Sequence, residues 1–278
     1  MTDATDAPVA DLSSFATEDG QLAYLDTGAG RPLVLLHGGF LDHRMWDPQL
    51  AVLAAEYRVI APDVRGHGRS ANATRPFRPC DDLAALLRHL GTGPVPLVGV
   101  SMGGGIAVDT ALEHPDLVSA LVISGAGTSE PDFQDPWVLG VFAEWGRALA
   151  AGDVEGWADA FLKFLAGPNR SVQDVDSRLV ERQRAMALGT LLKHTPDEPD
   201  HRVPVTDTWA RAAGITVPVL AINGALDGAD HLAMPARLTA SVADGRTVTV
   251  EGAAHYPNME QPEEFNAHLA SFLRALDR

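Results

Sequence analysis

The chain holds one cysteine, Cys80, which excludes an intrachain disulfide and any cluster of thiolate metal ligands. Cys80 itself reads as a small, partly buried hydrophobe near a helix start. Positive charge is scarce: 21 Lys and Arg stand against 37 Asp and Glu, for a formal net charge of −16. A polyanion would be repelled, which argues against nucleic acid or an anionic membrane as partner. The opening residues have no basic start and no apolar run, so no signal peptide is expected there, and residues 1–13 read as a disordered polar leader. No uninterrupted apolar stretch approaches the ~20 residues needed to span a bilayer. A cytoplasmic location is the expectation. Apolar residues are plentiful: at 46% of 278 residues they suffice for a full core and are too many for a disordered chain.

Those residues fall into short continuous runs. Residues 32–36, 58–61, 95–100, 120–123, 217–222 and 247–250 each read as a strand buried on both faces, and residues 21–25 as a shorter one. Helical patterns lie between them. In residues 81–90, Leu83, Leu86, Leu87 and Leu90 repeat at i, i+3, i+4, i+7, the spacing of one helix face. Residues 104–114, 232–242 and 262–276 read similarly. Alternating strands and helices predict an α/β fold with a mostly parallel, twisted sheet covered by helices on both faces. Residues 129–211 break the alternation. They show helical periodicity and many aromatics, including Trp137, Phe142, Trp145, Trp157 and Phe161, and no buried-strand run. The expected organisation is a core of residues 14–128 and 212–278 with a helical insertion between its parts.

Chemistry enters at Gly99-Val100-Ser101-Met102-Gly103, which follows a buried strand and opens a helix. That context turns a G-x-S-x-G match into a nucleophile elbow, with glycines where side chains would strike the neighbouring strand and helix. A serine hydroxyl needs a base, and the base an orienting carboxylate. The chain order Ser, acid, His directs attention to the ends of late strands. Asp227 stands just after residues 217–222, with Asp230 as its competitor; His255 follows residues 247–250. Of ten histidines, only His255 has that position; His231 has no evident partner, and His37 and His67 read as turn-shaping residues. Gly39, in His37-Gly38-Gly39-Phe40 after another strand, and Met102, next to the nucleophile, are the candidate N–H donors to an oxyanion. No His/Asp/Glu set with ligand spacing on one element is evident, and no metal or cofactor is expected.

Together these segments resemble the α/β-hydrolase fold family over nearly the whole chain. The other marks are Asp63-Val64-Arg65-Gly66-His67-Gly68-Arg69-Ser70, Gly224-Ala225-Leu226-Asp227 and Gly252-Ala253-Ala254-His255. The resemblance implies Ser101, Asp227 and His255 as a catalytic triad, Gly39 and Met102 as oxyanion donors, and residues 129–211 as a helical cap. Gly39 to Asp47 and Val98 to Gly105 look most like the branch of aryl esterases, non-haem haloperoxidases and 3-oxoadipate enol-lactonases. Ser101 excludes the usual chemistry of the dehalogenases and epoxide hydrolases, whose nucleophile is Asp.

The expected function is hydrolysis of a small apolar ester or lactone through an acyl-enzyme. A carbon–carbon bond hydrolase acting on vinylogous diketones and a non-catalytic ligand-binding member of the fold are the alternatives. Phe40, Trp137, Phe142 and Trp145 are the candidate substrate-lining residues, since pockets of this kind are mostly apolar.

Overall fold

The computed structural model describes residues 12–276. Eight strands form one sheet: β1 (Ser13–Thr17), β2 (Gly20–Thr27), β3 (Arg31–Leu36), β4 (Tyr57–Pro62), β5 (Val95–Val100), β6 (Val118–Ser124), β7 (Val219–Gly224) and β8 (Gly245–Val250). Their order is β1-β2-β4-β3-β5-β6-β7-β8, with β1 and β2 antiparallel to their neighbours and the rest parallel. β1 was not foreseen. It is a largely exposed edge strand, so it lacks the apolar run that marks the others, and its first residue, Ser13, falls inside the expected leader. The remaining leader residues, 1–11, lie outside the described residues, with Leu12 between.

The continuous apolar runs follow from burial on both faces. Along β3, Leu33 and Leu35 enter one apolar cluster while Val34 and Leu36 enter the other. The first cluster is closed by α1 (Asp47–Leu53) and, at the chain's end, by the helix over residues Pro262–Ala275. The second is closed by α2 (Pro79–Leu90), α3 (Met102–Glu113) and a helix over Ala229–Ser241. Leu83, Leu86 and Leu87 of α2 are buried there, with Leu90 packed at the edge, as their spacing predicts.

Between β6 and β7 the described chain is helical: α4 (Pro136–Ala151), α5 (Val154–Ala166), α6 (Ser177–Leu191) and the short α7 (Thr208–Arg211). α8 (Ala229–Ser241), α9 (Pro257–Glu260) and α10 (Pro262–Ala275) complete the fold. The two ends of the insertion are tied together. Glu130 accepts from the Thr208 hydroxyl and from the backbone N–H groups of Asp207 and Thr208, and the Trp209 indole donates to the Glu130 carbonyl. A second tie joins α4 to α8. Asp230 accepts from the Gln134 and Asp135 N–H groups at 2.8 and 2.7 Å, while Asp135 accepts from Ala229. Among the described residues no helix is long and apolar enough to cross a membrane.

Candidate active site

The carboxyl ends of β3, β5, β7 and β8 meet at one cavity. At the end of β5, Ser101 adopts φ 53° and ψ −119°, a conformation that costs a residue with a side chain. Two glycines permit the turn. A Cβ on Gly99 would collide with the Gly103 carbonyl, and one on Gly103 with the Leu36 carbonyl. The Ser101 N–H donates to the Ser124 carbonyl of β6 at 2.8 Å, which holds the turn against the neighbouring strand. Met102 then opens α3, so its N–H has no partner within the helix.

Gly39 comes from the loop after β3 and faces Met102: a Cβ there would make ordinary contact, at 3.9 Å, with the Met102 Cβ. Neither N–H group donates to a protein acceptor among the described residues, and both residues line the cavity. The arrangement leaves two residues with unengaged N–H groups, Gly39 and Met102, near one another in the lining that also holds Ser101. Phe40, next in the chain, also has a positive φ, 60°. His37 braces this loop. Its Nε2 accepts from the Val64 N–H at 2.9 Å, so Nδ1 carries the proton and donates to the Gly38 carbonyl at 2.8 Å. With burial pushing its pKa down, His37 is a neutral strut between two loops.

Asp227 and His255 meet in the interior. Nδ1 of His255 lies 2.8 Å from Oδ2 of Asp227, and the Gly228 N–H donates to the other carboxylate oxygen at 2.7 Å. Gly125, at φ 62°, leaves room for the imidazole: a Cβ would stand 2.6 Å from His255 Cε1. Burial opposes ionisation of Asp227, yet the neighbouring His255 and His231 hold it well below the usual carboxylate range. Burial pushes His255 below its ordinary value, against the pull of Asp227. A carboxylate that stays ionised therefore fixes the proton on Nδ1 of a neutral imidazole, leaving Nε2 able to take a proton. Asp230 is excluded as the orienting group, because its carboxylate is spent on the start of α4.

The cavity has a volume of about 1,210 Å³ and carries Gly39, Ser101, Met102 and His255 in its wall. Phe40, Phe142 and Trp145 line it. Trp137 does not: its ring packs edge-on against Phe164 at 5.5 Å and lies off that wall. Phe133, Phe161 and Phe164 line it instead, and so do residues 190 and 191 at the end of α6 and residues 192, 194–196 and 198–202 after it. Helical periodicity alone could not sort these rings, because most faces of α4 and α5 are apolar. His67 also lines the cavity; burial lowers its pKa to about 3, and Nδ1 is 3.1 Å from the Arg65 carbonyl of its own turn.

His231 is the residue that sequence reasoning missed. Its Nδ1 lies 3.2 Å from Oδ1 of Asp227, its ring centre 4.2 Å from that of His255, and it lines the cavity. The signal was its i, i+4 spacing from Asp227 across a helix start. Asp227, His231 and His255 bring three potential metal-ligating atoms within 4.8 Å of one another, atoms already engaged in hydrogen bonds to each other. Two other such sets, Asp42/His43/Asp63 and Cys80/Asp81/His114, lie off the cavity wall.

Residues 31–262 match the family model of the alpha/beta hydrolase fold. The chain is 30% identical over 271 residues to a non-heme haloperoxidase of Rhodococcus erythropolis, covering 94% of this chain and 98% of that protein. A hydrolase of Pseudomonas aeruginosa PA01 superposes with a TM-score of 0.77 at 30% identity, over 95% of this chain and 99% of that one. A thermophilic esterase of Thermogutta terrifontis does so with a TM-score of 0.77 at 26% identity, over 96% and 99%.

Proposed function

The chain belongs to the alpha/beta hydrolase fold family, and on that premise we propose that it is a serine hydrolase cleaving a small apolar ester or lactone through an acyl-enzyme. The observation that carries the proposal is the buried Asp227–His255 pair, 2.8 Å apart, whose His255 lines the same cavity as the strained Ser101.

In the proposed cycle His255 Nε2 takes the Ser101 proton as Oγ attacks the carbonyl carbon, and Asp227 stabilises the imidazolium that results. The N–H groups of Gly39 and Met102 receive the oxyanion, each such donor contributing roughly 3 kcal/mol in the transition state. Collapse expels the alkoxide, which leaves with the proton from His255. A water molecule deprotonated by His255 then hydrolyses the acyl-enzyme and restores Ser101. Residues 129–211 serve as a cap whose aromatic rings exclude water and select the substrate, over a core of residues 14–128 and 212–278. The esterase relative supports the ester reading, and the apolar character of the wall agrees with an apolar substrate.

The test is a fluorophosphonate probe followed by a panel of p-nitrophenyl esters, lactones and vinylogous diketones. Covalent labelling at Ser101 with turnover of esters or lactones is the expected result. Turnover confined to diketones, or a labelled adduct on any other residue, overturns the proposal.

A further inference from the structure

His231 is the acceptor that the mechanism above leaves unused. Asp227, held as the carboxylate, can only accept hydrogen bonds. The contact at 3.2 Å between Asp227 Oδ1 and His231 Nδ1 therefore places a proton on Nδ1. In the tautomer with its proton there, Nε2 carries a lone pair. Among the described residues nothing donates to it. Its surroundings cannot supply a donor: Phe133 and Phe164 present ring edges at 5.7 and 5.4 Å between centroids, and His255 has its own proton committed to Asp227. The residue is 4% exposed, and the exposure it has is toward the cavity. An acceptor set in an aromatic wall is matched by a ligand that brings a donor into the cavity and penalises one that does not.

We propose that His231 is a specificity-determining residue that accepts a hydrogen bond from a hydroxyl or amide N–H on the acyl portion of the substrate. Its ring lies 4.2 Å from that of His255, which sets the donor near the scissile bond; the proposal puts it on the acyl side, on the carbon next to the carbonyl or one bond beyond. Phe133, Phe142 and Phe164 flank the same place and take the apolar remainder of the acyl group. The substrate class is thus an ester of an apolar or aryl 2- or 3-hydroxy acid, or of its N-acylamino counterpart. The inference rests on the serine hydrolase reading above. It adds a discrimination that a wall of phenyl rings could not make, since an unpaired polar group penalises the analogue that lacks a donor.

The experiment compares matched p-nitrophenyl esters: 2-hydroxy-2-phenylacetate, 2-methoxy-2-phenylacetate and phenylacetate, with each kcat/KM divided by the rate of hydroxide-catalysed hydrolysis to remove intrinsic reactivity. Wild-type enzyme should prefer the hydroxy ester over both others by about tenfold. His231→Phe should bring the ratio to about one, whatever the loss of the Asp227 contact does to the absolute rate. His231→Gln, which restores an acceptor, should recover most of the preference, and it carries the test if the Phe variant does not fold. A labelled wild-type enzyme with equal ratios for the three esters overturns this inference alone, as does an unchanged ratio in both variants. Absence of labelling at Ser101 overturns the hydrolase reading and this inference with it.

Discussion

The strand ends and the helical insertion build the same cavity from different material. At the strand ends, position is fixed by backbone. Ser101, Met102, Gly39, Asp227 and His255 each lie within a few residues of a strand, and several neighbouring sites admit no Cβ. In the insertion, position is fixed by side chains packed on one another. Trp145 stacks on Phe161 with centroids 5.7 Å apart, Trp157 stacks on Phe161 at 5.5 Å, and Phe142 meets Trp145 edge-on at 5.3 Å. Ring contacts of this kind tolerate small shifts, whereas a collision with a carbonyl does not. On the proposed function, the difference would separate two properties: bond-breaking would depend on the rigid half, and fit of the apolar part of the substrate mainly on the adaptable half.

That separation can be broken by mutation. Ser101→Ala should lower turnover by roughly 10⁴-fold or more with an unchanged thermal midpoint, measured by ester hydrolysis and calorimetry. Retained activity would remove the strand ends from the chemistry. Trp157→Ala, in the fully buried centre of the ring stack, should lose about 3–5 kcal/mol of stability in denaturant unfolding. Gly103→Ala should lose about 1–3 kcal/mol and also damage turnover, because the added methyl pushes α3 away from β3. Phe142→Ala or Trp145→Ala should do the reverse, leaving kcat on the smallest esters nearly intact and changing the preference between acyl groups by about tenfold.

The pH dependence sharpens the rigid half. Burial holds His255 below the ordinary imidazole value of about 6.5, so the base stays neutral into mild acid. kcat/KM should be level at neutral pH and fall as pH drops, with a midpoint below about 6.5. Protonation of His255 favours the unfolded chain, so its contribution to stability is complete above about pH 6.5 and is lost below it. The smallest effect concerns Cys80: burial raises its thiol to about 12, and iodoacetamide at pH 8 should neither modify nor inhibit the native protein, as mass spectrometry would show.

How much of this could be read in the sequence follows the same division. β3, β5, β6 and β7 were legible because burial on both faces leaves an unbroken apolar run. Ser101 and Asp227 were placed by such runs; His255 follows β8, where residues 247–250, expected to be buried on both faces, are mostly not buried because β8 is the other edge of the sheet. β1 was not, since an exposed edge strand carries no such pattern. Trp137, expected in the lining, lies outside it while Phe164 is in it, because a ring on a helix apolar on several faces can point into the cavity or behind it. His231 was obscured by distance: its ring meets His255, 24 positions further along the chain, through a carboxylate they share, although its spacing from Asp227 offered a local hint.

The bonds that Glu130 makes to Thr208 and Trp209 have a consequence beyond packing. They hold the start and finish of the insertion side by side, so the sheet experiences that whole segment as one tight turn. A segment with abutting ends is exchangeable: its length and fold can change without stretching β6 or β7, since closing a longer loop costs only slowly more. Excising residues between Glu130 and Asp207 and bridging them with a short glycine linker would leave an open cleft above Ser101. Such a scaffold could receive insertions from other chains, letting one set of strand ends be refitted for new substrates.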